Sequence, residues 1–334
     1  MSLKPMTTKE IFEKTDGQYV IIIGDLMIDR YLTGSVNRIS PEAPVPVVLH
    51  QSTDNRLGGA ANVALNIQAL GAIPLLCGFA GNDTDGRLLT EELLTKPGLV
   101  SEGVCISTER RTTVKTRILG NSQQMLRIDS EDTHELSPQE ADILLTRVRA
   151  LLTRYPVRAM ILQDYNKGVL TEHIIAETIK IAKEKGVFVA VDPKKQHFLS
   201  YKGVDLFKPN LKEIRESAPF PVYPTLESLE QAARFLEEKL NNRYTMLTLS
   251  EHGLYMKGEG PGALYPTVPR KIADVSGAGD TVISIAALCL SVGIDESIVA
   301  RLSNLAGGQV CEIPGVVPVD RTVLERESSE VTAE

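Results

Sequence analysis

Two glycines, an alanine and an aspartate stand together in the stretch "DVSGAGDTV", residues 274–282, just before a long apolar run. The small residues Gly277, Ala278 and Gly279 would let backbone N–H groups approach an anion closely, and a helix start there would add positive potential. Asp280 would then lie beside the anion as a base for a hydroxyl group. The same residues also suit an ordinary helix start, with Gly277 as the N-cap and Asp280 at the third helical position, where an acid interacts well with the helix dipole.

Apolar, β-branched runs alternate with helical patterns along most of the chain, and this alternation predicts the elements that position the stretch. Strands are predicted near 19–24 and 73–81 and within 157–165, 186–194, 203–210 and 244–253, and helices near 58–71, 171–185 and 225–239. Such a pattern favours a mainly parallel sheet covered by helices on both faces. Ligands of these sheets bind beyond the carboxyl ends of the strands. Polar residues stand at those ends here: Asp25, Asp29, Asp164, Asp192, Asn210 and Ser250.

Two segments do not fit the alternation. Residues 30–50 contain three prolines, which cannot donate hydrogen bonds inside a central strand. Residues 110–129 are typical of a hairpin that turns at Gly120–Asn121, with Arg111, Thr113, Lys115 and Arg117 on one face. We interpret both segments as a small β-lid beside the main sheet, although the basic row would also suit a solvated strand face.

Composition excludes several classes of function. The net charge of −7, the 5% aromatic content and the lack of tryptophan argue against nucleic-acid binding. The four cysteines are far apart, as expected for reduced thiols in a cytosolic protein, and the histidines show no metal-ligand spacing. The N-terminus lacks a signal-peptide pattern, and the longest apolar stretch is too short to span a membrane. We therefore expect a cytoplasmic protein with no membrane partner.

Two common nucleotide-binding motifs are missing. The sequence contains no GxxxxGK[ST], which excludes a Walker-type ATPase, and no GxGxxG, which disfavours a dinucleotide-dependent dehydrogenase. A nucleotide site, if present, must use another arrangement.

The stretches "GGAANVALNIQALG" (58–71) and "DVSGAGDT" (274–281), with "PNLKE" (209–213) between them, resemble the signatures of the ribokinase-like (PfkB) carbohydrate kinases. The resemblance covers about residues 19–320. It implies a three-layer α/β/α fold with a mainly parallel central sheet, a small β-lid near 30–50 and 110–129, and ATP as the phosphoryl donor. We expect an N-terminal extension (1–18), one kinase domain (19–322) and a polar, frayed C-terminal tail (323–334).

The resemblance also implies roles for individual residues. Asp280 looks like the general base, and the 277–279 turn (Gly277, Ala278 and Gly279) looks like the anion hole. Asn210 and Glu213 look like the pair that organises Mg²⁺ and phosphate, acting through water as this ion often requires; a helix N-cap with an acid three residues on would explain the same pair. Three further residues match nucleotide-side positions, where loop or packing roles are the alternative: Ser250, Gly253 and Asn304.

Further segments, "GDLMIDRY", "RISPEAPVPVV", "NSQQMLRID", "DYNKG" and "DPK", resemble the heptose-phosphate kinase branch of the family. This branch phosphorylates C1 of D-glycero-D-manno-heptose 7-phosphate for ADP-heptose and lipopolysaccharide core synthesis. Some relatives carry a fused nucleotidyltransferase domain with an HxGH-type motif, which this sequence lacks, so we expect a stand-alone kinase. The sequence departs from the branch at Ser276, where threonine is usual, and at Leu249 and His252 near the expected adenine site.

A substrate that already carries a phosphate needs cations away from the 277–279 turn, and arginine binds phosphate in bidentate fashion. Sugar hydroxyls need carboxylate or amide partners. The candidates for sugar-phosphate binding are Asp29, Gly58, Gly59, Asn62, Lys115, Arg117, Gln123, Gln124, Arg127, Asp164 and Lys167. Arg127 could instead pair with Asp129 across the hairpin, and Gly58–Gly59 could serve either backbone approach to a ligand or tight packing of helix on strand.

We also expect a homodimer in which the lid of one protomer covers the other. Three alternatives to the heptose kinase stay open at this point. They are another kinase of the family acting on a ketohexose phosphate or free pentose, a non-catalytic sugar-phosphate sensor, and a dehydrogenase.

Overall fold

The computed structural model describes residues 6–121 and 123–331. Its strands are β1 (Tyr19–Gly24), β2 (Leu26–Ile39), β3 (Pro46–Gly59), β4 (Ile73–Gly81), β5 (Val100–Ser107), β6 (Thr113–Gly120), β7 (Gln123–Ser130), β8 (Val157–Gln163), β9 (Phe188–Asp192), β10 (Leu206–Phe207), β11 (Tyr244–Thr248), β12 (Leu254–Lys257) and β13 (Ala263–Tyr265). Its helices are α1 (Thr8–Thr15), α2 (Ala60–Ala69), α3 (Thr84–Arg87), α4 (Pro138–Arg154), α5 (Glu172–Glu184), α6 (Leu211–Ser217), α7 (Leu226–Leu240), α8 (Ala278–Ser291), α9 (Glu296–Cys311) and α10 (Arg321–Val331), with a π-helical turn at Leu88–Leu93 and a 3-10 turn at Ser250–His252.

The main sheet has nine strands in the order β13-β12-β11-β10-β9-β8-β1-β4-β5. All neighbours are parallel except β11–β12 and β12–β13, which are antiparallel. Continuous β-branched runs form the central strands because both faces are covered, as in "YVIIIG" of β1. The predicted mainly parallel sheet is confirmed, whereas the antiparallel extension by β12 and β13 was not predicted.

Two apolar layers cover the sheet. Ile22 of β1 faces a layer built with α2, α8 and α9, while its neighbours Ile21 and Ile23 face a layer built with α4, α5 and α7. This alternation along one strand is what a pleated strand buried on both faces requires. The predicted three-layer α/β/α fold is confirmed.

A second sheet, the lid sheet, has the order β3-β2-β6-β7. Strands β2 and β6 run parallel, and the outer pairs are antiparallel. The hairpin turns at Gly120–Asn121 as predicted, with Asn121 in the left-handed region (φ +50°). Pro46 is tolerated because it is the first residue of the edge strand β3. The strands reach Leu26 and Gly59, further than the predicted 30–50 segment.

The N-terminal residues differ from the predicted extension. Helix α1 begins with a capping box, in which Thr7 and Glu10 bond each other's backbone N–H groups. Its residues Ile11 and Phe12 are fully buried in the same apolar layer as α8 and α9. Helix α1 is therefore packed onto the domain, and residues 1–5 of the predicted extension lie outside the described residues.

Residues 323–331 form part of a helix, unlike the predicted frayed tail, whose last residues, 332–334, lie outside the described residues. Helix α10 runs to Val331, because Leu324 is fully buried in the core and Arg321 forms an ion pair with Asp16 next to α1. Ser328 of the same helix is also buried, and its hydroxyl group donates to the hydroxyl of Thr8 on α1 at 2.6 Å.

Phe12→Ala is expected to lower the free energy of unfolding by about 3–5 kcal/mol, because it removes a fully buried aromatic side chain. Urea unfolding followed by circular dichroism measures the change, with the exposed Lys9→Ala as the control on the same helix. A loss below about 1 kcal/mol would contradict the packing of α1.

Candidate active site

Helix α8 begins where the sequence predicted. Gly277 is the N-cap with φ +83°, a left-handed conformation that favours glycine, and Asp280 is the third helical residue. In the part of the chain that the structure describes, no side chain caps this helix end. Residues 277–280 line a cavity at the carboxyl edge of the sheet. The N–H group of Ala278 donates to the Val275 carbonyl oxygen at 3.4 Å, so the N–H groups of Gly277 and Gly279 are the better placed to bind an anion.

Asp280 is 3% exposed and receives three hydrogen bonds. Asn62 donates to Oδ2 at 2.7 Å, while Tyr165 Oη and Gln163 Nε2 donate to Oδ1 at 2.7 and 3.2 Å. Both lone pairs of Oδ1 therefore accept hydrogen bonds, and Oδ2 keeps one lone pair for a further donor. Burial raises the pKa of Asp280 to about 7, against the hydrogen bonds from Asn62 and Tyr165 that lower it. Such a carboxyl group can take up a proton near neutral pH.

A buried cation lies beside the 277–279 turn. Lys208 follows β10, is 2% exposed, and places Nζ 3.0 Å from Oδ2 of Asp192 at the end of β9. A Cβ atom on Gly279 would lie 3.7 Å from this Nζ and 3.6 Å from the carboxylate. From the sequence, Asp192 was predicted only as a polar residue at the carboxyl end of a strand, and Lys208 was not predicted as a site residue. The available signal was a lysine directly after the apolar pair "LF" at 206–207.

The cavity measures about 670 Å³ and extends from the 277–279 turn to the residues predicted for the nucleotide. Ser250, Gly253 and Asn304 all line it. The amide of Asn304 donates to the carbonyl groups of residues 265 and 266, so it also fixes the adjoining segment. Exposed apolar side chains complete this end of the cavity: Val268, Ile272 and Val275. The arrangement suits a molecule with a flat apolar part and an anionic part.

Asn210 and Glu213 form the helix cap that was the alternative explanation for them. Asn210 caps α6, and the Glu213 carboxylate accepts from the Asn210 backbone N–H at 2.8 Å and from Lys194 Nζ. Asn210 and Lys194 line the cavity. Among the described residues, no group of three or more His, Cys, Asp or Glu side chains is placed to hold a metal ion. The donor set therefore fits an ion held mainly by phosphate and water, and it does not fit a cage of protein ligands.

The lid sheet carries its predicted cations on one face. In the β2–β6 register Asp29 is opposite Lys115, and Arg117 forms an ion pair with Asp29. Lys115 Nζ lies 3.2 Å from Oε2 of Glu131, and Lys167 Nζ lies 2.7 Å from Oε1 of the same carboxylate. Each cation already has an anionic partner, and Glu131 joins the lid to the loop after β8.

This face is directed toward the 277–279 turn. The backbone N–H of Val316 donates to Tyr31 Oη on the face, and Val316 Cγ1 would be 3.3 Å from a Cβ on Gly277. Arg56 on the same face donates to the Val316 carbonyl oxygen at 3.3 Å. Tyr31 and Arg56 thus lie next to Val316 beside the 277–279 turn, whereas Lys115, Arg117 and Lys167 are not among the described residues that line the cavity at Asp280.

Several predicted substrate residues are not brought to the cavity. Arg127 pairs with Asp129 along the same strand, at 2.9 Å, and not across the hairpin. Gln123 and Gln124 are exposed at the start of β7, beside the hairpin turn. Asp164 is 2% exposed, and its oxygens accept from Tyr201 Oη and the Asn166 backbone N–H, both at 2.7 Å.

Of the two readings of Gly58–Gly59, the structure supports tight packing. A Cβ atom on Gly58 would collide with the Asp29 carboxylate, and one on Gly59 would collide with the Asp25 carbonyl oxygen. Gly59 is the N-cap of α2, so this close packing of the glycines fixes where α2 begins. Helix α2 in turn places Asn62 against Asp280. Their contribution to the site is therefore indirect.

In the described ranges 6–121 and 123–331, no helix is both long and apolar enough to cross a membrane.

Residues 18–321 match the pfkB family of carbohydrate kinases. The chain is 40% identical over 312 residues to the bifunctional protein HldE of Methylobacillus flagellatus, and 40% identical over 309 residues to that of Desulfatibacillum aliphaticivorans. These matches cover 93% and 92% of the chain but only 63% and 62% of the relatives.

Solved structures share the fold at low identity. Arabidopsis thaliana ribokinase, complexed with ribose and ATP, superposes with a TM-score of 0.70 at 18% identity, covering 93% of this chain and 99% of the ribokinase. Escherichia coli phosphofructokinase-2, in complex with potassium, has a TM-score of 0.76 at 18% identity and covers 94% and 99%. Taken with the match over residues 18–321, these findings identify the chain as a member of the pfkB family of carbohydrate kinases.

Proposed function

We propose that this ATP-dependent carbohydrate kinase phosphorylates the C1 hydroxyl of D-glycero-D-manno-heptose 7-phosphate, giving the 1,7-bisphosphate for ADP-heptose and lipopolysaccharide core synthesis. The observation that carries the chemistry is a buried carboxylate with a free lone pair beside uncapped N–H groups and Lys208. The choice of heptose rests on the motifs of the heptose-phosphate kinase branch and on the cations of the lid face.

In the proposed reaction, Oδ2 of Asp280 accepts the proton of the C1 hydroxyl group. The C1 oxygen forms a bond to the γ-phosphorus of ATP, the bond from that phosphorus to the β–γ bridging oxygen breaks, and ADP leaves. The N–H groups of the 277–279 turn and Lys208 stabilise the charge of the transferring group. The lid would cover the bound sugar and keep water from competing with it.

ATP would lie along the cavity with its base near Ser250, Gly253 and Asn304. Mg²⁺ would be held mostly by the nucleotide phosphates and by water, with Asn210 and Glu213 orienting that water. When bound, the ion would neutralise charge on the phosphates.

The 7-phosphate of the sugar would be bound by cations of the lid side, of which Lys115 and Lys167 are the best placed. Both lysines converge on Glu131 from separate segments, as they would on a phosphate group. Arg117, beside Asp29, borders the same space.

The test is coupled ADP release with Mg-ATP and a panel of acceptors: heptose 7-phosphate, unphosphorylated heptose, fructose 6-phosphate, fructose 1-phosphate, tagatose 6-phosphate and ribose. We expect heptose 7-phosphate to have the highest kcat/KM. Lys115→Ala should raise KM for heptose 7-phosphate at least about tenfold and leave the unphosphorylated sugar unchanged. A higher kcat/KM for any other acceptor would overturn the heptose assignment while leaving the family intact.

The pH dependence of the reaction is expected to follow Asp280. Since its pKa is raised to about 7, the ionised base is lost as the pH falls through neutrality. Below that point kcat/KM should fall about tenfold per pH unit, the slope for a single required base. The measurement is kcat/KM from pH 5.5 to 9, and a profile that stays flat down to pH 5.5 would contradict the raised pKa of Asp280.

We further propose that a second copy of the chain covers the outer face of the lid sheet. Leu126 and Ile128 are about half exposed on β7, on the face opposite Arg127 and Asp129. Apolar side chains on a sheet with free edges favour association. Leu126→Asp combined with Ile128→Asp is therefore expected to halve the mass seen by light scattering, whereas Leu226→Asp, at an equally exposed site on α7, should not. A wild-type monomer would contradict this.

A further inference from the structure

The loop after β8 is fastened to the end of β1 by a single buried carboxylate. Asp25 is 1% exposed, and its oxygens accept from the backbone N–H groups of Tyr165, Lys167 and Val169 at 2.8, 3.1 and 3.2 Å. One side chain thus fixes three alternate residues of the 165–169 loop. Nothing in the proposed reaction uses Asp25 directly.

The same loop delivers a hydroxyl group to the base. Tyr165 Oη lies 2.7 Å from Oδ1 of Asp280, on the side away from the free lone pair of Oδ2. Burial and the negative charge of Asp280 hold the pKa of Tyr165 well above its usual value, so the hydroxyl stays protonated and donates. Two residues on, Lys167 reaches Glu131 at the base of the lid.

We propose that Tyr165 is a positioning residue that orients Asp280 and favours its ionised form, and that Asp25 is the anchor that holds Tyr165 in place. The inference rests on the proposed role of Asp280 as the base. A hydrogen bond from a neutral hydroxyl to Oδ1 stabilises the carboxylate and turns Oδ2 toward the acceptor site. Without it, a buried carboxylate would keep its desolvation penalty and lose one of three compensating donors.

Other charged groups also face Asp280, and they act through longer range. Asp192 disfavours and Lys208 favours its ionised form, while Lys194, from the segment after β9, lies over the Tyr165 ring at 5.5 Å. The negative charge of Asp29 on the lid also favours the neutral form of Tyr165. Among the side chains described around Asp280, Tyr165 is the hydroxyl donor to its carboxylate, so its removal tests the proposal without changing any formal charge.

The experiment compares Tyr165→Phe with Tyr201→Phe. Tyr201 is fully buried and Tyr165 is partly buried, and both donate at 2.7 Å to an aspartate, but Tyr201 donates to Asp164 and not to Asp280. In Tyr165→Phe we expect the acid limb of kcat/KM to move up by about one pH unit, the size typical of a lost hydrogen bond to a charged group. In Tyr201→Phe the limb should stay in place. An unshifted limb in Tyr165→Phe, or an equal shift in both variants, overturns the proposal.

A second readout does not depend on turnover. The carboxyl group of Asp280 can be titrated by NMR in protein labelled with ¹³C-aspartate, with the Asp280→Asn variant identifying its signal. Its midpoint should rise in Tyr165→Phe even if Asp280 has no catalytic role, and an unchanged midpoint refutes the inference. Full turnover in Asp280→Asn would instead refute the proposed base, so the two failures are distinguishable.

Asp25→Asn tests the anchor. The amide replaces one acceptor oxygen by a donor, so at least one of the three loop N–H groups loses its partner. We expect the midpoint of Asp280 to rise as it does in Tyr165→Phe, in protein whose circular dichroism spectrum is unchanged. A folded Asp25→Asn variant with the wild-type midpoint would remove Asp25 from the proposal.

Discussion

Asp280→Asn is expected to lower kcat at least about 100-fold, in line with the contribution of a positioned general base. The reason is that an amide cannot accept the proton of the C1 hydroxyl group, while its size matches the carboxylate. The fold should tolerate the change, because Asn62 Oδ1 has no partner in the described structure and a flipped Asn62 amide can accept from the new side chain. The measurement is steady-state kinetics with saturating Mg-ATP.

The control for this variant is nucleotide affinity, since Asp280 lies beside the transferred group and not at the Ser250 end of the cavity. The dissociation constant of a non-hydrolysable ATP analogue should stay within about threefold of the wild type. A variant that keeps more than about a tenth of the wild-type kcat would remove Asp280 from the role of base.

Lys208→Met is expected to lower kcat by about 10²–10³-fold, the usual loss when a preorganised electrostatic partner of a transition state is removed. Lys208 is nearly fully buried beside the 277–279 turn, and methionine fills a similar volume without the charge. Its loss also leaves the Asp192 carboxylate uncompensated, which raises the pKa of Asp280 further and shifts the acid limb of the pH profile upward. Single-turnover kinetics across pH 6–9 separates the two contributions.

Lys212→Met is the matched control for Lys208→Met. It removes a lysine four residues away whose side chain is 84% exposed, so activity should not change. If Lys208→Met kept kcat within about threefold of the wild type, the buried cation would have no part in phosphoryl transfer.

Apolar runs and periodic apolar spacing within short stretches of sequence were sufficient to predict the strands and helices that carry them. The β-branched run of β1 and the start of α8 at Gly277, with Asp280 as its third residue, follow from neighbouring residues alone. Helix α1 was missed although its capping-box residues, Thr7 and Glu10, are readable in the sequence. Its apolar face is short, and burial of Phe12 depends on packing against distant helices.

The parts of the site that escaped sequence reasoning depend on contacts between distant segments. Tyr165 meets Asp280 across 115 positions, and nothing near Tyr165 in the chain indicates this contact. Its neighbour Asp164 was predicted to bind sugar, yet the turn after β8 directs it to Tyr201 and away from the cavity. Lys208 likewise acquires its role only because β9 and β10 are adjacent, which places it against Asp192.

The most direct test of the account is the identity of the product. Heptose 7-phosphate and Mg-ATP would be incubated with the protein and followed by ³¹P NMR with proton coupling. We expect a new phosphorus signal coupled to the anomeric proton, formed in step with ADP, while the 7-phosphate signal persists. A new phosphate on any other carbon, or ADP formed without a second sugar phosphate, would contradict phosphoryl transfer to C1.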